Sequence, residues 1–494
     1  MTTATVPTPT SSSAAAVQVA VTARLAEWIS GLRRTDIPDN AWAHAKLCLL
    51  DALGCGLFGS RQPWGRISAD AAQDLSPAGR ASLWGRDARC GVDAAAMANG
   101  TATHGFELDD IHLRASMHPG AVTIPAAFAL AEACGKSPAE FLTAVVAGYE
   151  IGLRIGIAVG LGHGLRGHHT TGTVGTLAAA AAAANLLGLG ADATADALGI
   201  AATQAAGLHG ARMGAMSKRF HAGRAAQSGV LAAALAKRGF TGSRTALEQP
   251  FGGFFSTLCD AVDVPATHAE LGERWEIREV GFKAYASCGS THTTVDAIDA
   301  LMKQGITARD LRELRIHMSK KAVSNVGWKY VPAGVVAAQM NCYYTSAVKL
   351  LDDEVFVDQF AESRLADPRV MALIERIRIA HEPAFDAGGA ATRHAVRVEA
   401  ELNDGTVKTV NVEQRRGSTR FPLTRDDIVR KFRGLGKVAL PAQSIERILE
   451  LVDGIDDMRE MQPLAALMRS TPMTRGERRS AISAEARGHG QAAP

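Results

Sequence analysis

Residues 176–190, TLAAAAAAANLLGLG, contain seven consecutive alanines, and this run limits the fold more than any other stretch of the chain. Alanine has the strongest helix propensity of any residue. Its methyl group fills little space, so a helix of this kind gains packing only where neighbouring backbones close tightly around it. The run is also too weakly hydrophobic for a bilayer span. It reads as an internal helix. A second small-residue helix, from Ala222 to Lys237, has the same character, and the pair belongs in the middle of a bundle.

The rest of the first half agrees with a bundle. LAEWISGLRR, AWAHAKLCLLDALGCGLFG, IPAAFALAEACG, PAEFLTAVVAGYEIGLRIGIAV and AQSGVLAAALAKRGF all place apolar residues at helical spacing. Glycine repeatedly follows the last periodic residue, as a helix C-cap should. After about Gly281 the period changes to that of strands, in ELRIHMS, RIRIAHEP and HAVRVEAELNDGTVKTVNVEQR, with Asn403-Asp404-Gly405 as a hairpin turn. TRDDIVRKFRGLG and PAQSIERILELVDGIDDM then return to helix. The expected fold is therefore mostly α. A large all-helical domain spans residues 17–280, an inserted smaller α+β lid domain spans 281–418, and 419–470 return to the first domain. Residues 1–16 and 471–494 read as a disordered leader and tail; the leader has neither the basic nor the apolar segment of a signal peptide.

Charge narrows the function. Lys and Arg total 53 against 50 Asp and Glu, with no long block of one sign, which argues against nucleic acid and anionic membrane as partners. The seven cysteines are scattered without any CxxC, the pattern of a reduced cytoplasmic protein. GLGHGLRG has glycines near dinucleotide-binding spacing but follows a helical stretch rather than a strand. No P-loop lysine motif, HExxH or EF-hand loop occurs, and neither HHTT nor the trio His104, His112 and His118 matches a zinc pattern. Neither metal nor organic cofactor is expected.

What stands out is a recurrence. Four times a cationic or titratable cluster precedes a turn of Gly, Ser or Thr that opens a small-residue helix: SMHPGAVTIPAAFALAE, GHHTTGTVGTLAAAA, MSKRFHAGRAAQSGVLAAA and FKAYASCGSTHTTVDAI. Each is a helix N-terminus with orphan N–H groups and the positive end of a dipole, which suits a carboxylate or phosphate. Taken singly, such residues are ordinary caps. Capping does not require His or Lys at all four, and convergence would make a pocket for a small polyanion. In it His118, His169 and His292 would move protons while Lys218 and Lys283 hold negative charge. Of Asp109 and Asp110, one caps a helix or pairs with Arg114 and the other faces the pocket; the sequence leaves open which. Cys288 lies four residues before His292 and is either a nucleophile or, more simply, a small thiol lining the pocket.

These four junctions, in this order, resemble the MmgE/PrpD family, which includes 2-methylcitrate dehydratase, cis-aconitate decarboxylase and iminodisuccinate epimerase. The resemblance runs from about residue 20 to residue 470 and rests on ANGTATHGFELDDIHLRASMHPGAV, HHTTGTVGTLAAAAAAANLLGL, KRFHAGRAAQSGVLAAALAKRGFTG and FKAYASCGSTHTTVDAI. ELDD, PWGR, QPFGGFF and YASCG resemble the fungal-type cis-aconitate decarboxylase branch. The resemblance implies a homodimer whose active site lies between helical domain and lid, working without metal or organic cofactor. It implies His118, His169, Lys218, Lys283 and an acid of ELDD, Asp109 or its neighbour Asp110, as the catalytic set. Asp110, His112, Thr171, Cys288 and His292 are expected to contact substrate. Animal decarboxylases of the family carry threonine where this chain has Ile111, and histidine where it has Cys288; fungal ones share the cysteine.

The family's reactions build negative charge on carbon beside a carboxylate. Fixed cations must neutralise that carboxylate while an acid or base serves the carbon. The sequence thus points to a cofactor-independent lyase on a small di- or tricarboxylate, decarboxylating a cis-aconitate-like acid or dehydrating a 2-methylcitrate-like one. The alternatives are an epimerase of an aspartate-derived dicarboxylate and a non-catalytic polyanion-binding protein.

Overall fold

A computed structural model describes residues 20–213, 215–388 and 392–469, so the leader and tail read from the sequence lie outside the described residues. The helical body contains α1 (Val21–Gly31), α2 (Asp39–Ser60), α3 (Pro63–Leu75), α4 (Val92–Thr103), α5 (Gly120–Cys134), α6 (Pro138–Leu165), α7 (Thr170–Leu186), α8 (Ala191–Ala202), α9 (Ser217–Ala236) and α10 (Phe254–Leu258). A short ribbon of β1 (Ala81–Ser82) and β2 (Arg89–Cys90) interrupts it.

The alanine run is the heart of the body. Every residue from Ala178 to Ala184 in α7 is fully buried, among α5, α6, α8 and α9. Glycines on the facing helices let the backbones meet: a β-carbon on Gly148 of α6 would lie 2.7 Å from the Ala178 carbonyl oxygen, and one on Gly229 of α9 would lie 2.5 Å from the Ala180 nitrogen. Two helices, α2 and α6, are long and apolar enough to cross a membrane, but both are mostly buried inside the fold. The helical pattern read up to Trp275 thins out after α9. From Phe240 to Cys288 only α10 and two 3-10 turns interrupt an irregular path, because Pro250, Gly252, Gly253, Pro265 and Gly272 break the period.

The inserted α+β part contains α11 (Gly289–Met302), β3 (Leu311–Met318), α12 (Lys320–Val326), α13 (Val335–Gln339), α14 (Cys342–Asp352), α15 (Glu362–Leu365), α16 (Pro368–Ile374), β4 (Ile377–His381), α17 (Ala384–Ala387), β5 (Val396–Leu402) and β6 (Val407–Val412). Its sheet has the order β4-β3-β5-β6, with β3 and β4 parallel and the other pairs antiparallel. The β5–β6 turn falls on Asn403-Asp404-Gly405, where Gly405 takes a φ of 87°. The chain enters and leaves this inserted part at one place: the Phe282 N–H donates to the Gly417 carbonyl at 2.9 Å.

Residues 424–468 then go back to the body as α18 (Arg425–Gly436), α19 (Ala442–Asp453) and α20 (Gln462–Met468). The α18 helix covers α2, with Phe432 against Gly54, and Lys431 donates to the buried Asp51 carboxylate at 2.6 Å. The mostly α fold, with a small sheet in the inserted part, is the one the two periods of the sequence specify.

A buried acid in α6 gives the body a measurable pH response. Burial pushes the Glu150 carboxyl up to about 7, against the opposing charge of Arg154 and the N–H groups of Ile277 and Glu276. The folded chain therefore binds this proton more tightly than the unfolded one. Its stabilising effect is full below the ordinary glutamate range near 4.5 and fades as pH rises through 7. Urea unfolding should show the wild type losing on the order of 3 kcal/mol between pH 4.5 and 8 relative to Glu150→Gln. Parallel stability profiles for the two proteins would refute it.

Candidate active site

The stretch HGFELDDIHLRASMHPG forms the irregular passage from α4 to α5, and its path is set by two successive left-handed residues, Phe106 (φ 60°) and Glu107 (φ 56°). Such residues cost on the order of 1–3 kcal/mol each. Packing holds them: the Phe106 ring sits 4.7 Å from Phe58 and 6.3 Å from Phe360, and the Gln339 amide of α13 donates to the Phe106 carbonyl at 2.9 Å. The turn delivers Glu107 to three cations. One carboxylate oxygen accepts from Lys218 and from Arg219, both at 2.6 Å, and the other from Lys283 at 3.2 Å. Lys218 and Arg219 come from the first turn of α9, and Lys283 from the segment ahead of α11, which is pinned to the same passage by paired 2.9 Å bonds between Ile111 and Gly281.

Three positive groups on one carboxylate leave a net charge of +2. Burial alone would raise the Glu107 pKa, but the charges of Lys218, Lys283 and Arg219 hold it well below the usual range. Lys218 is pushed down by burial and by its cationic neighbours, with Glu107 opposing.

Beside this cluster lies a group of imidazoles. His118, immediately before α5, places Nδ1 2.7 Å from the Asp110 carbonyl oxygen and 3.3 Å from Asp109 Oδ2. A carbonyl only accepts, so Nδ1 carries a proton, and Nε2 is the nitrogen left for substrate. The same Asp109 oxygen lies 2.6 Å from His104 Nδ1. Burial resists the Asp109 charge, yet His118 and His104 keep its carboxyl well below normal. The His104 ring is 5.1 Å from His118 and 5.4 Å from His169, and burial drives the His104 pKa down to about 4 despite Asp109. His169 caps α7, with Nδ1 3.0 Å from His221 Nδ1, and burial with the charges of His104 and Lys218 depresses it strongly. Thr171 accepts from the His118 backbone N–H at 3.2 Å, tying the starts of α5 and α7 together.

The structure also separates residues that the sequence grouped. Asp110 is engaged elsewhere: it accepts from the Gly120 N–H at 3.0 Å and from the Tyr149 hydroxyl at 2.7 Å, which makes it the cap of α5, and burial with the charge of Asp51 raises its pKa. His112 is bound elsewhere too, accepting from the Ala115 N–H at 3.1 Å and facing Glu276 at 3.4 Å. Arg114 pairs with that same Glu276. His292 lies in the first turns of α11 with Nε2 on the Ser287 carbonyl and its ring 5.1 Å from Tyr285; it makes no ring contact with the other imidazoles. Cys288 is the half-buried N-cap of α11, and its N–H donates to the Gln339 carbonyl.

Glu107, Arg219, His104 and His221 are functional candidates that sequence reasoning passed over. Each had a signal, since Glu107 opens ELDD, His104 opens the same passage, and Arg219 and His221 follow Lys218 within KRFH.

His104, Asp109 and His118 put donor atoms within 4.8 Å of one another, a spacing that suits a metal ion. Both Nδ1 atoms are engaged by Asp109 and the Asp110 carbonyl, so only the Nε2 atom of each ring remains as a ligand for such an ion.

Residues 23–266 match the model of the MmgE/PrpD N-terminal domain, and residues 285–457 match that of the C-terminal domain. The chain belongs to the MmgE/PrpD family. Among curated proteins, this MmgE/PrpD chain is 33% identical over 471 residues to a cis-aconitate decarboxylase of Aspergillus terreus, covering 91% of this chain and 96% of the relative. It is 33% identical to the cis-aconitate decarboxylase-like protein oryM of Aspergillus oryzae, over 91% and 97% of the two chains. Human cis-aconitate decarboxylase is 28% identical over 91% and 94%. The chain is a lyase of MmgE/PrpD type.

Proposed function

We propose that this lyase decarboxylates a cis-aconitate-like tricarboxylate, with His118 as the proton-transfer group and Lys218 and Lys283 as carboxylate holders. The observation that carries the reading is the meeting of the +2 charge cluster around Glu107 with an imidazole that is anchored through Nδ1 and leaves Nε2 for substrate. The names of the relatives favour decarboxylation over dehydration.

The chemistry follows from those positions. Breaking the bond to the departing carboxylate leaves its electron pair on carbon, spread over the adjoining double bond and the neighbouring carboxylate. Lys218 and Lys283 lower the cost of that charge, at a site where burial keeps water from screening it. His118, protonated at both nitrogens, delivers the Nε2 proton to carbon and returns to the neutral form. Asp109 steadies the imidazolium through Nδ1 without taking the proton, and Thr171 fixes the position of the His118 backbone. His169 and His104, held neutral by burial, offer hydrogen bonds without competing charge. The inserted α+β part serves as the lid that brings Lys283 to substrate, in a cytoplasmic homodimer.

Incubating the purified protein with cis-aconitate, 2-methylcitrate and iminodisuccinate, with products followed by NMR, tests the reading. Release of carbon dioxide from cis-aconitate supports it; water loss from 2-methylcitrate or epimerisation alone replaces it. The chemistry as drawn needs no metal, so exhaustive chelation should leave turnover unchanged. Activity lost on chelation and restored by one divalent ion would overturn that part.

A further inference from the structure

Six lysine and arginine residues are buried among the described residues, and five of them have a carboxylate close by. Arg154 lies 3.4 Å from Glu150, Arg219 2.6 Å and Lys283 3.2 Å from Glu107, Lys349 2.7 Å from Asp299 and Lys431 2.6 Å from Asp51. Arg415 is the sixth. Only 4% exposed, it has no carboxylate within ion-pair distance among the described residues, and its Nε has no hydrogen-bond partner. Two acidic groups reach it by charge alone, the Cys288 thiol and then Asp296, and Asp296 already accepts from the Tyr285 hydroxyl at 2.6 Å and from the Arg416 N–H at 2.8 Å. A buried guanidinium in this state is costly. Burial pulls its pKa down to about 10, which still leaves it charged at neutral pH.

Its position shows what would satisfy it. The guanidinium lies over the first residue of α11, where a β-carbon on Gly289 would come within 2.7 Å of Nη1. That helix has 14 residues, and its N-cap, Cys288, supplies no side-chain cap. Within the same first turns, His292 is fully buried with Nδ1 unpartnered, in the field of both Arg415 and Lys283. An unpaired fork of donors and the positive end of a helix thus gather on the lid side, with Lys283 linking them to the Glu107 cluster; His292, whose Nε2–H donates to the Ser287 carbonyl, offers only an acceptor at Nδ1. The fork and the helix end are the donor set for a carboxylate.

We propose that Arg415 binds one carboxylate of the substrate over the start of α11, and that this contact, separate from Lys218 and Lys283, makes the enzyme prefer a tricarboxylate to a dicarboxylate. The proposal rests on the reading of the chain as a polycarboxylate lyase. It identifies a specificity-determining residue, and it explains why an arginine is kept buried without a partner.

Calorimetric titration of the full-length protein tests it with tricarballylate, a saturated tricarboxylate, beside glutarate and methylsuccinate, which each lack one of its carboxylates. Wild type should bind tricarballylate more tightly than at least one of the two. Arg415→Met should weaken tricarballylate about tenfold or more while leaving that weaker diacid unchanged, so the preference disappears. Arg415→Lys, which keeps charge but not the fork, should fall between. Without ligand the Met variant should melt no lower than wild type, because it removes an uncompensated buried charge. The idea is overturned by a Met variant that binds tricarballylate within about twofold of wild type, weakens all three acids alike, or melts lower without ligand. A wild type that binds tricarballylate through Arg415 but turns over none of the tested acids would remove the proposed activity and leave this subsite standing.

Discussion

His118→Gln should lower the turnover number by about a hundredfold or more while changing substrate affinity little. Glutamine is close to histidine in size, and its amide can still donate to the Asp110 carbonyl that Nδ1 now meets at 2.7 Å. It cannot carry a proton to carbon. The fold should survive, because His118 is partly open to solvent and its backbone bond to Thr171 does not involve the ring. Asp109→Asn should also impair turnover, through the orientation and charge balance of the imidazole rather than its presence. Steady-state kinetics with circular dichroism and thermal melting as folding controls decide the matter. Full activity in the glutamine variant, or inactivity that only accompanies unfolding, would make His118 a structural residue.

Glu107→Gln should have the largest effect on stability. It removes the single anion that holds Lys218, Arg219 and Lys283 together, leaving three neighbouring positive groups with no counter-charge. Breaking a buried ion pair from one side costs about 3–5 kcal/mol. Catalysis should fall as well, since the lysines would shed protons or move apart. Adding Lys218→Met to Glu107→Gln removes one of the stranded charges, so the double variant should be more stable than Glu107→Gln alone, whereas independent effects would add. Urea unfolding of the four proteins in the cycle measures this. A Glu107→Gln protein as stable as wild type would show that the three cations tolerate one another without it.

The helices and strands were legible because their periods, 3.6 and 2, are written in the spacing of apolar residues, and Asn403-Asp404-Gly405 announced its hairpin through turn chemistry. The irregular path after α9 was not, since a glycine- and proline-rich stretch says where a helix stops but not where the chain goes next. The site divides the same way. His118, Thr171, His169 and Lys218 stand at helix starts, and a rule about helix N-termini finds such residues. Glu107 follows no such rule. Its placement depends on two left-handed residues, Phe106 and Glu107, and no sequence period reports a positive φ on a phenylalanine or glutamate. His104 sits at the end of a helix and so escaped a search directed at beginnings. Asp110 and His112 lie in the right stretch, but their side chains serve the α5 cap and the Glu276 cluster, a distinction that needs direction as well as position.

The return of α18 to α2 has a consequence in time rather than space. Asp51 waits for Lys431, 380 residues further along the chain. A ribosome adding about 5–20 residues per second needs roughly 20–80 s to supply that partner. During this interval the face of α2 that Phe432 will cover is bare, and a carboxylate meant for the interior has no counter-ion. The helical body is begun before the inserted α+β part and finished only after it, so a nascent chain must keep one long apolar helix from its neighbours until that whole part has emerged.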